Sequence, residues 1–510
     1  MFICLLCLIN SSQVITFDQI IDHFQPSKED NIFSQTIIIE TKYSQVQYQT
    51  TIIYLNDFDK LNQDNPFPSA IIDLASQTSA SLITIEPRFF GDSQPFKVLT
   101  TENLHYNTIE QNLADIAYFI QYLKENYNVE KVVVVGKGYG GTLATWFRLQ
   151  YPQYVDAVWA SSSPLKFISY DDQVDKNIAE KLQFQSQTCL DATTTLLSRF
   201  EAIMTYGDSD SQTLVKRYFG FNKDTNSNSV LYELAESFRL MAQTETNRST
   251  KLLTEYCMGQ KFEPNNETLK NAFKKALQQF GLTVDTFDPQ KSVPETCDVK
   301  DARSLLYLKC NQIGGFHTYN QQHYFRSRSL NETYYNKLCN DAFQISKVAN
   351  VDQLNLRYGN LENGASSVLL SQSTKNVEFE LLHFKSNPEI DLIVETTDEE
   401  SYGDELYSDG SNAQKITDFK SKVFETFKQW TDLSRKITCN LHGNMVINKC
   451  KCDKSWTGEL CQTKTVAQNI IKMISAVSTL FPTLILLAFA LLAWRKVAKD
   501  TKFSLRPSIF

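Results

Sequence analysis

The sequence predicts an α/β fold in which a buried sheet is interrupted by a helical insertion and followed by a small cysteine-stapled module and one membrane span. Three observations predict it. Val132-Val133-Val134-Val135 reads as a strand buried on both faces, and it runs through Gly136-Lys137-Gly138-Tyr139-Gly140-Gly141 into an apolar-periodic helix that stops at Pro152. β-branched and apolar runs at 36–39, 50–54, 82–85, 157–160, 366–370 and 389–394 supply further strands for the same sheet. Residues 473–494 form a run of 22 without a charge, long enough to cross a bilayer, with Pro482 placed to kink it.

Composition bounds the rest. With 510 residues, 42% hydrophobic and 12% aromatic, the chain can bury a sizeable core over two or three domains. The formal charge of -8, with no Lys/Arg stripe, gives no electrostatic footprint for nucleic acid. Residues 1–12, apolar up to Ser11-Ser12, read as a secretory signal peptide. Arg495, Lys496, Lys499, Lys502 and Arg506 follow the membrane span and keep the tail at 495–510 inside. The expectation is a single-pass type I membrane protein, its bulk outside the cell or in a secretory or lysosomal lumen. Eleven cysteines fit that oxidising side, and sequons at Asn247, Asn266 and Asn331 are candidate glycan acceptors.

Taken in order, the first part of the sheet region covers 13–165. Its early strands lead to Leu82-Ile83-Thr84-Ile85 and then to a Gly/Pro-punctuated loop at 86–96, a usual place for a site in an α/β fold. A helix follows with Asn107 as candidate N-cap, Glu110 three residues on, and Ile109, Leu113, Ile116, Ile120 and Leu123 on one face. The strand–glycine turn–helix that comes next has the geometry of the α/β-hydrolase nucleophile elbow, G-x-S-x-G, in which a strained turn presents a serine above the sheet. Gly138 stands at the serine's position. Gly136, Gly138 and Gly141 also spell the dinucleotide fingerprint, but the next strand ends in Ser161-Ser162-Ser163 and not in the acid that motif requires. No Gly-Lys-Ser or Gly-Lys-Thr is present for a P-loop. Residues 166–349 turn helical, with a clear helix at 268–280, and the sheet resumes over 350–436.

The order Asp22-His23-Phe24, then Glu86-Pro87-Arg88-Phe89-Phe90-Gly91-Asp92-Ser93-Gln94-Pro95-Phe96, then Leu113-Ala114-Asp115, then the elbow with Trp146-Phe147-Arg148, resembles the serine peptidases typified by prolyl carboxypeptidase and dipeptidyl-peptidase II. That family carries D-H-F, E-H-R-Y-Y-G-x-S-x-P-F and G-G-S-Y-G-G with W-F-R behind it. The resemblance covers residues 15–435, and Pro87 departs from the family's histidine. It implies an α/β-hydrolase with a helical cap over the cleft, and a pocket drawing on the Tyr139 amide, Glu86 and Arg88. It also places cap cysteines at Cys310 and Cys339, which it suggests as a pair; on the residues alone, the five cysteines of this region, Cys189, Cys257, Cys297, Cys310 and Cys339, leave the pairing open. The catalytic aspartate would fall near Lys375 and the histidine at Tyr402.

Residues 437–462 resemble the latter half of an EGF-like module, C-x-x-H-G…C-x-C-x8-C with a W-x-G turn, Met445 standing where a cysteine is expected. That likeness implies the pairs Cys439–Cys450 and Cys452–Cys461 and the role of a stalk. Acyl transfer through a triad needs a nucleophile, a histidine and an orienting acid. Gly138, Lys375 and Tyr402 provide none of these, Lys137 reads as a solvated or pocket-rim lysine and not as a replacement nucleophile, and His383 beside an apolar run reads as structural. The acid-rich stretch 395–409 reads as a solvated loop. The expectation is a catalytically inactive, membrane-anchored homologue binding a peptide or protein ligand, with no cofactor or metal. The alternatives are an active exopeptidase cutting beside proline through other residues, and an adhesive surface protein.

Overall fold

The computed structural model describes residues 12–25, 31–243, 251–260, 264–279, 282–284, 289–295, 299–322, 325–359, 361, 365–373, 385–387, 391–397, 414–431, 443–446, 449–452, 456–457 and 463–464. Its strands in chain order are β1 (Gln13–Ile20), β2 (Ile32–Glu40), β3 (Thr50–Leu55), β4 (Ser81–Ile85), β5 (Lys131–Lys137), β6 (Ala157–Ser161), β7 (Tyr170–Asp171), β8 (Phe316–His317), β9 (Val368–Ser373) and β10 (Leu392–Thr397). The main sheet has the order β1-β2-β4-β3-β5-β6-β9-β10. β1 and β2 join antiparallel, β2 meets β4 antiparallel, and every pair from β4 to β10 is parallel.

The helices are α1 (Ser69–Thr78), α2 (Thr101–Leu104), α3 (Ile109–Asn126), α4 (Gly138–Gln150), α5 (Gln173–Gln185), α6 (Gln187–Tyr206), α7 (Ser209–Phe219), α8 (Ser227–Gln243), α9 (Leu252–Gly259), α10 (Asn266–Gln279), α11 (Lys300–Leu308), α12 (Glu332–Phe343), α13 (Asp352–Tyr358) and α14 (Gln414–Thr431). They cover both faces of the sheet, which is why its central strands are apolar without alternation. The faces still separate residue by residue, because successive strand side chains point to opposite sides. Val132 and Val134 pack with Ile53, Ile83 and Val158 against Leu113, Ile116, Ile120 and Leu143 of α3 and α4. Val133 and Val135 pack with Ile52, Leu82 and Trp159 against Ile71 and Leu74 of α1 and Val423 and Phe427 of α14.

Several boundaries differ from the sequence reading. The N-cap of α3 is Thr108, whose hydroxyl accepts the Gln111 amide, while Asn107 is buried and donates to the Ser304 carbonyl. Thr108 precedes the first helical residue and so reaches an orphan amide, whereas Asn107 sits one residue too early. β10 begins at Leu392, three residues after the apolar run opens, and β1 reaches back to Gln13.

Residues between β6 and β9 leave and re-enter the sheet at neighbouring strands, since β6 pairs directly with β9. An insertion there leaves the strand order untouched. α5 to α10 enclose a core of their own, including Leu196, Leu234, Phe238 and Phe273, and Cys189 of α6 is bonded to Cys257 of α9. α11 and α12 pack on Phe89 and Leu99 of the loop after β4 and on Leu104 of α2, and Cys310 is bonded to Cys339.

The chain divides into two compact units, Met1–Asp432 and Leu433–Phe510. In the second, β11 (Gly443–Val446) pairs antiparallel with β12 (Lys449–Cys452), and β13 (Trp456–Thr457) with β14 (Thr463–Lys464). Met445 lies opposite Cys450 in that ladder. Cys439 and Cys461, the side chains of Cys450 and Cys452, the signal segment up to residue 11 and the 473–494 run lie outside the described residues. Among the described residues no helix is long and apolar enough to cross a membrane.

Candidate active site

The elbow lies where β5 hands over to α4, with Gly138 as the first helical residue. Its φ is +51°, in the left-handed region where a Cβ costs roughly 1–2 kcal/mol and glycine costs nothing comparable. The turn therefore keeps the strained backbone of a nucleophile elbow around a residue without a side chain. A second glycine is required for a different reason. A Cβ on Gly140 would stand 2.2 Å from the Leu55 carbonyl oxygen and 2.6 Å from that of Asn56, so its absence lets the chain leaving β3 lie directly on the elbow.

That contact brings in residues the sequence reading did not single out. β3 and β5 are neighbours, with Leu55 opposite Gly136, so the first residues past β3 emerge beside the turn. The Tyr139 amide donates to the Asp57 carboxylate, N to Oδ1 at 2.7 Å. Phe58 stacks on the Tyr139 ring, with centroids 3.8 Å apart and planes 21° apart. The Tyr139 hydroxyl is buried with no hydrogen-bond partner among the described residues, and burial pushes its pKa well above the ordinary phenol value. Desolvation and the nearby Asp57 charge push the Asp59 carboxyl up, and Lys137 pulls it the other way. The signal for Asp57 was present in the sequence: acids directly after a buried parallel strand, at the carboxyl edge where α/β folds place their sites.

Glu86 and Arg88 occupy a different position from the elbow residues. Glu86 is buried and accepts from the Leu61 amide at 3.0 Å, the Asp92 and Ser93 amides at 2.9 Å and the Ser93 hydroxyl at 2.7 Å. It holds the loop after β4 in shape. Arg88 is fully buried and donates through Nε to Asp115 at 2.7 Å and through Nη2 at 2.5 Å, its remaining protons going to the carbonyls of Ile20, Ile21 and Tyr106. His23 Nε2 meets the same Asp115 at 2.8 Å. The D-H-F start, the E-x-R loop and the L-A-D helix thus meet in one buried knot behind the sheet edge. Lys375 and Tyr402, where the resemblance places the acid and the histidine, lie outside the described residues, as do Asn247 and His383. Asn266 and Asn331 are exposed.

Residues 19–376 match the family described as serine carboxypeptidase S28. The chain belongs to this family. It is 26% identical over 320 residues to "Probable serine protease EDA2" of Arabidopsis thaliana, covering 59% of this chain and 63% of that protein. It is 30% identical over 158 residues to "Lysosomal Pro-X carboxypeptidase" of Homo sapiens, covering 30% of this chain and 32% of that one. The matched part thus spans less than two thirds of either relative. Among solved structures, the proline iminopeptidase of Mycobacterium smegmatis covers 82% of this chain and 99% of its own, at 12% identity and a TM-score of 0.37. The S28 match opens within β1 and ends just beyond β9.

Proposed function

We propose that this S28 family member is a membrane-anchored pseudoenzyme whose hydrolase-like cleft binds a peptide or protein ligand without cleaving it. The observation that carries the reading is Gly138 at the apex of an otherwise preserved elbow, φ +51°. A triad enzyme stripped of its serine loses on the order of a million-fold in turnover, because its members act as a unit. Near the positions that the family resemblance implies for the acid and the histidine stand Lys375 and Tyr402, neither of which supplies a triad's carboxylate or imidazole. In this reading the helical block between β6 and β9 forms one wall of the ligand cleft. The cysteines at 439–461 staple an EGF-like stalk, the 473–494 run anchors the protein, and Asn247, Asn266 and Asn331 carry glycans on the lumenal or extracellular side.

The test uses the full chain in detergent, with X-Pro-X peptides and a fluorophosphonate probe at acidic and neutral pH. The unmodified protein is expected to show neither turnover nor labelling while binding the peptides saturably. Turnover, or a labelled residue located by mass spectrometry, overturns the reading and returns the chain to the exopeptidases. Silence without binding removes the peptide ligand and leaves an adhesive surface protein.

A further inference from the structure

In an α/β-hydrolase the oxyanion hole is made by the amide of the residue after the nucleophile together with an amide from the loop that follows β3. Here both partners are in place, with their chemistry changed. The amide after the apex is that of Tyr139, and the loop after β3 offers it the carboxylate of Asp57 at 2.7 Å. The amide belongs to the first turn of α4, a helix of 13 residues, where N–H groups lack intrahelical partners and the helix dipole favours negative charge. A carboxylate oxygen there takes the place of a developing oxyanion.

We infer that Asp57 is a built-in ligand of the elbow, an intramolecular carboxylate that fills the oxyanion position and closes it to an incoming carbonyl. Three independent contacts hold the loop in this pose. Phe58 stacks on Tyr139, the Leu61 amide is held by Glu86, and Lys60 is paired with Asp92 at 2.8 Å. On the other side, the bare Gly140 lets the Leu55 and Asn56 carbonyls close on α4, which sets the distance from which Asp57 reaches the amide. The elbow is therefore occupied from within as well as lacking a nucleophile. Restoring a serine at position 138 leaves the oxyanion position blocked, and an external carboxylate gains access only where Asp57 is removed.

Hydrogen exchange of the Tyr139 amide in the full chain, read at single-residue resolution, tests this. Asp57→Ala is expected to speed exchange at Tyr139 by about tenfold or more, with the Ile116 amide in α3 unchanged. Tens of millimolar formate, the smallest carboxylate, is expected to slow that exchange again in Asp57→Ala and to do nothing in the unmodified protein. Should Asp57→Ala fail to fold, Asp57→Asn keeps the shape and an acceptor oxygen but loses the charge. It is expected to give a smaller acceleration, and a rate equal to that of the unmodified protein overturns the inference. Unchanged exchange in Asp57→Ala also overturns it, and acceleration that formate does not reverse shows a loop merely covering the amide and no anion position. Exchange rates are blind to turnover, so this inference and the pseudoenzyme reading fail separately.

Discussion

Arg88 shows at the scale of one residue why the family is so readable in a chain whose elbow carries Gly138 at its apex. Its guanidinium is fully buried and every hydrogen bond it makes is internal, two to Asp115 and three to carbonyls of β1's end and the loop before α3. Removing one partner of such a pair leaves an uncompensated buried charge, which costs about 3–5 kcal/mol. Arg88→Met is therefore expected to lower the urea midpoint by that equivalent, and Arg88→Lys to recover only part of it, because an ammonium cannot reproduce the fork. Gly138→Ser, at the apex, is expected to cost only about 1–2 kcal/mol by the same measurement. If Arg88→Met proves as mild as Gly138→Ser, the knot around Asp115 does not hold the sheet edge and its place in the motif needs another cause.

At the scale of elements, the helical insertion stabilises itself with its own core and its own covalent tie. Cys189 and Cys257 are 68 residues apart in sequence and connect α6 to α9. Closing a loop of that length removes chain entropy worth about 4 kcal/mol from the unfolded state. The double variant Cys189→Ser/Cys257→Ser is expected to raise exchange across α6 and α9 while β5 keeps its protection. Equal loosening of β5 would mean that block and sheet unfold as one unit. The same separation explains what the sequence made legible. The main strands from β2 to β9 announced themselves as β-branched or apolar runs, because burial on both faces leaves little room for polar residues. α1 and α14 escaped notice because a helix with one apolar stripe gives a weaker signal than a strand buried on both faces. Asp57 escaped because its role depends on β3 lying beside β5, a pairing of segments some eighty residues apart. Thr108 displaced Asn107 as the cap of α3 because the two residues differ by one position in a geometry that tolerates no such shift.

At the scale of the whole hydrolase-like unit, a buried cluster in the helical insertion contributes a dependence of stability on pH. Arg326 reaches Asp175 of α5 at 3.2 Å and Glu236 of α8 at 2.9 Å, Arg239 reaches Glu236 at 2.6 Å, and His317 of β8 closes on Glu236 at 2.9 Å. Tyr232 of α8 and Tyr335 of α12 also face Arg326. Among the described residues Asp175 Oδ2 and Arg326 Nη1 are buried without hydrogen-bond partners, so Asp175 is the less fully compensated of the two acids there. Burial pushes the Asp175 carboxyl up from 3.8 to about 6, against the pull of Arg326 and His317. Glu236 moves the other way: burial opposes its charge, but His317, Arg239 and Arg326 outweigh it and hold its pKa well below 4.5. The signs then separate. Glu236 contributes stability that is present above its unfolded value of 4.5 and is lost as pH falls through its depressed folded value. Asp175 contributes stability that is fully present below 3.8 and is lost as pH rises through about 6. Between 4.5 and about 6 the Glu236 contribution is flat, and that of Asp175 falls with a slope of at most about 1.4 kcal/mol per pH unit. The insertion is thus expected to be more stable at mildly acidic than at neutral pH, read as urea midpoints of the α5 and α8 signals across that window. Asp175→Asn keeps the shape and removes the titration, so its midpoint is expected to vary less with pH over the same window. A slope that survives Asp175→Asn would assign the pH response to another group and leave the buried cluster as an ion network that does not titrate in this range.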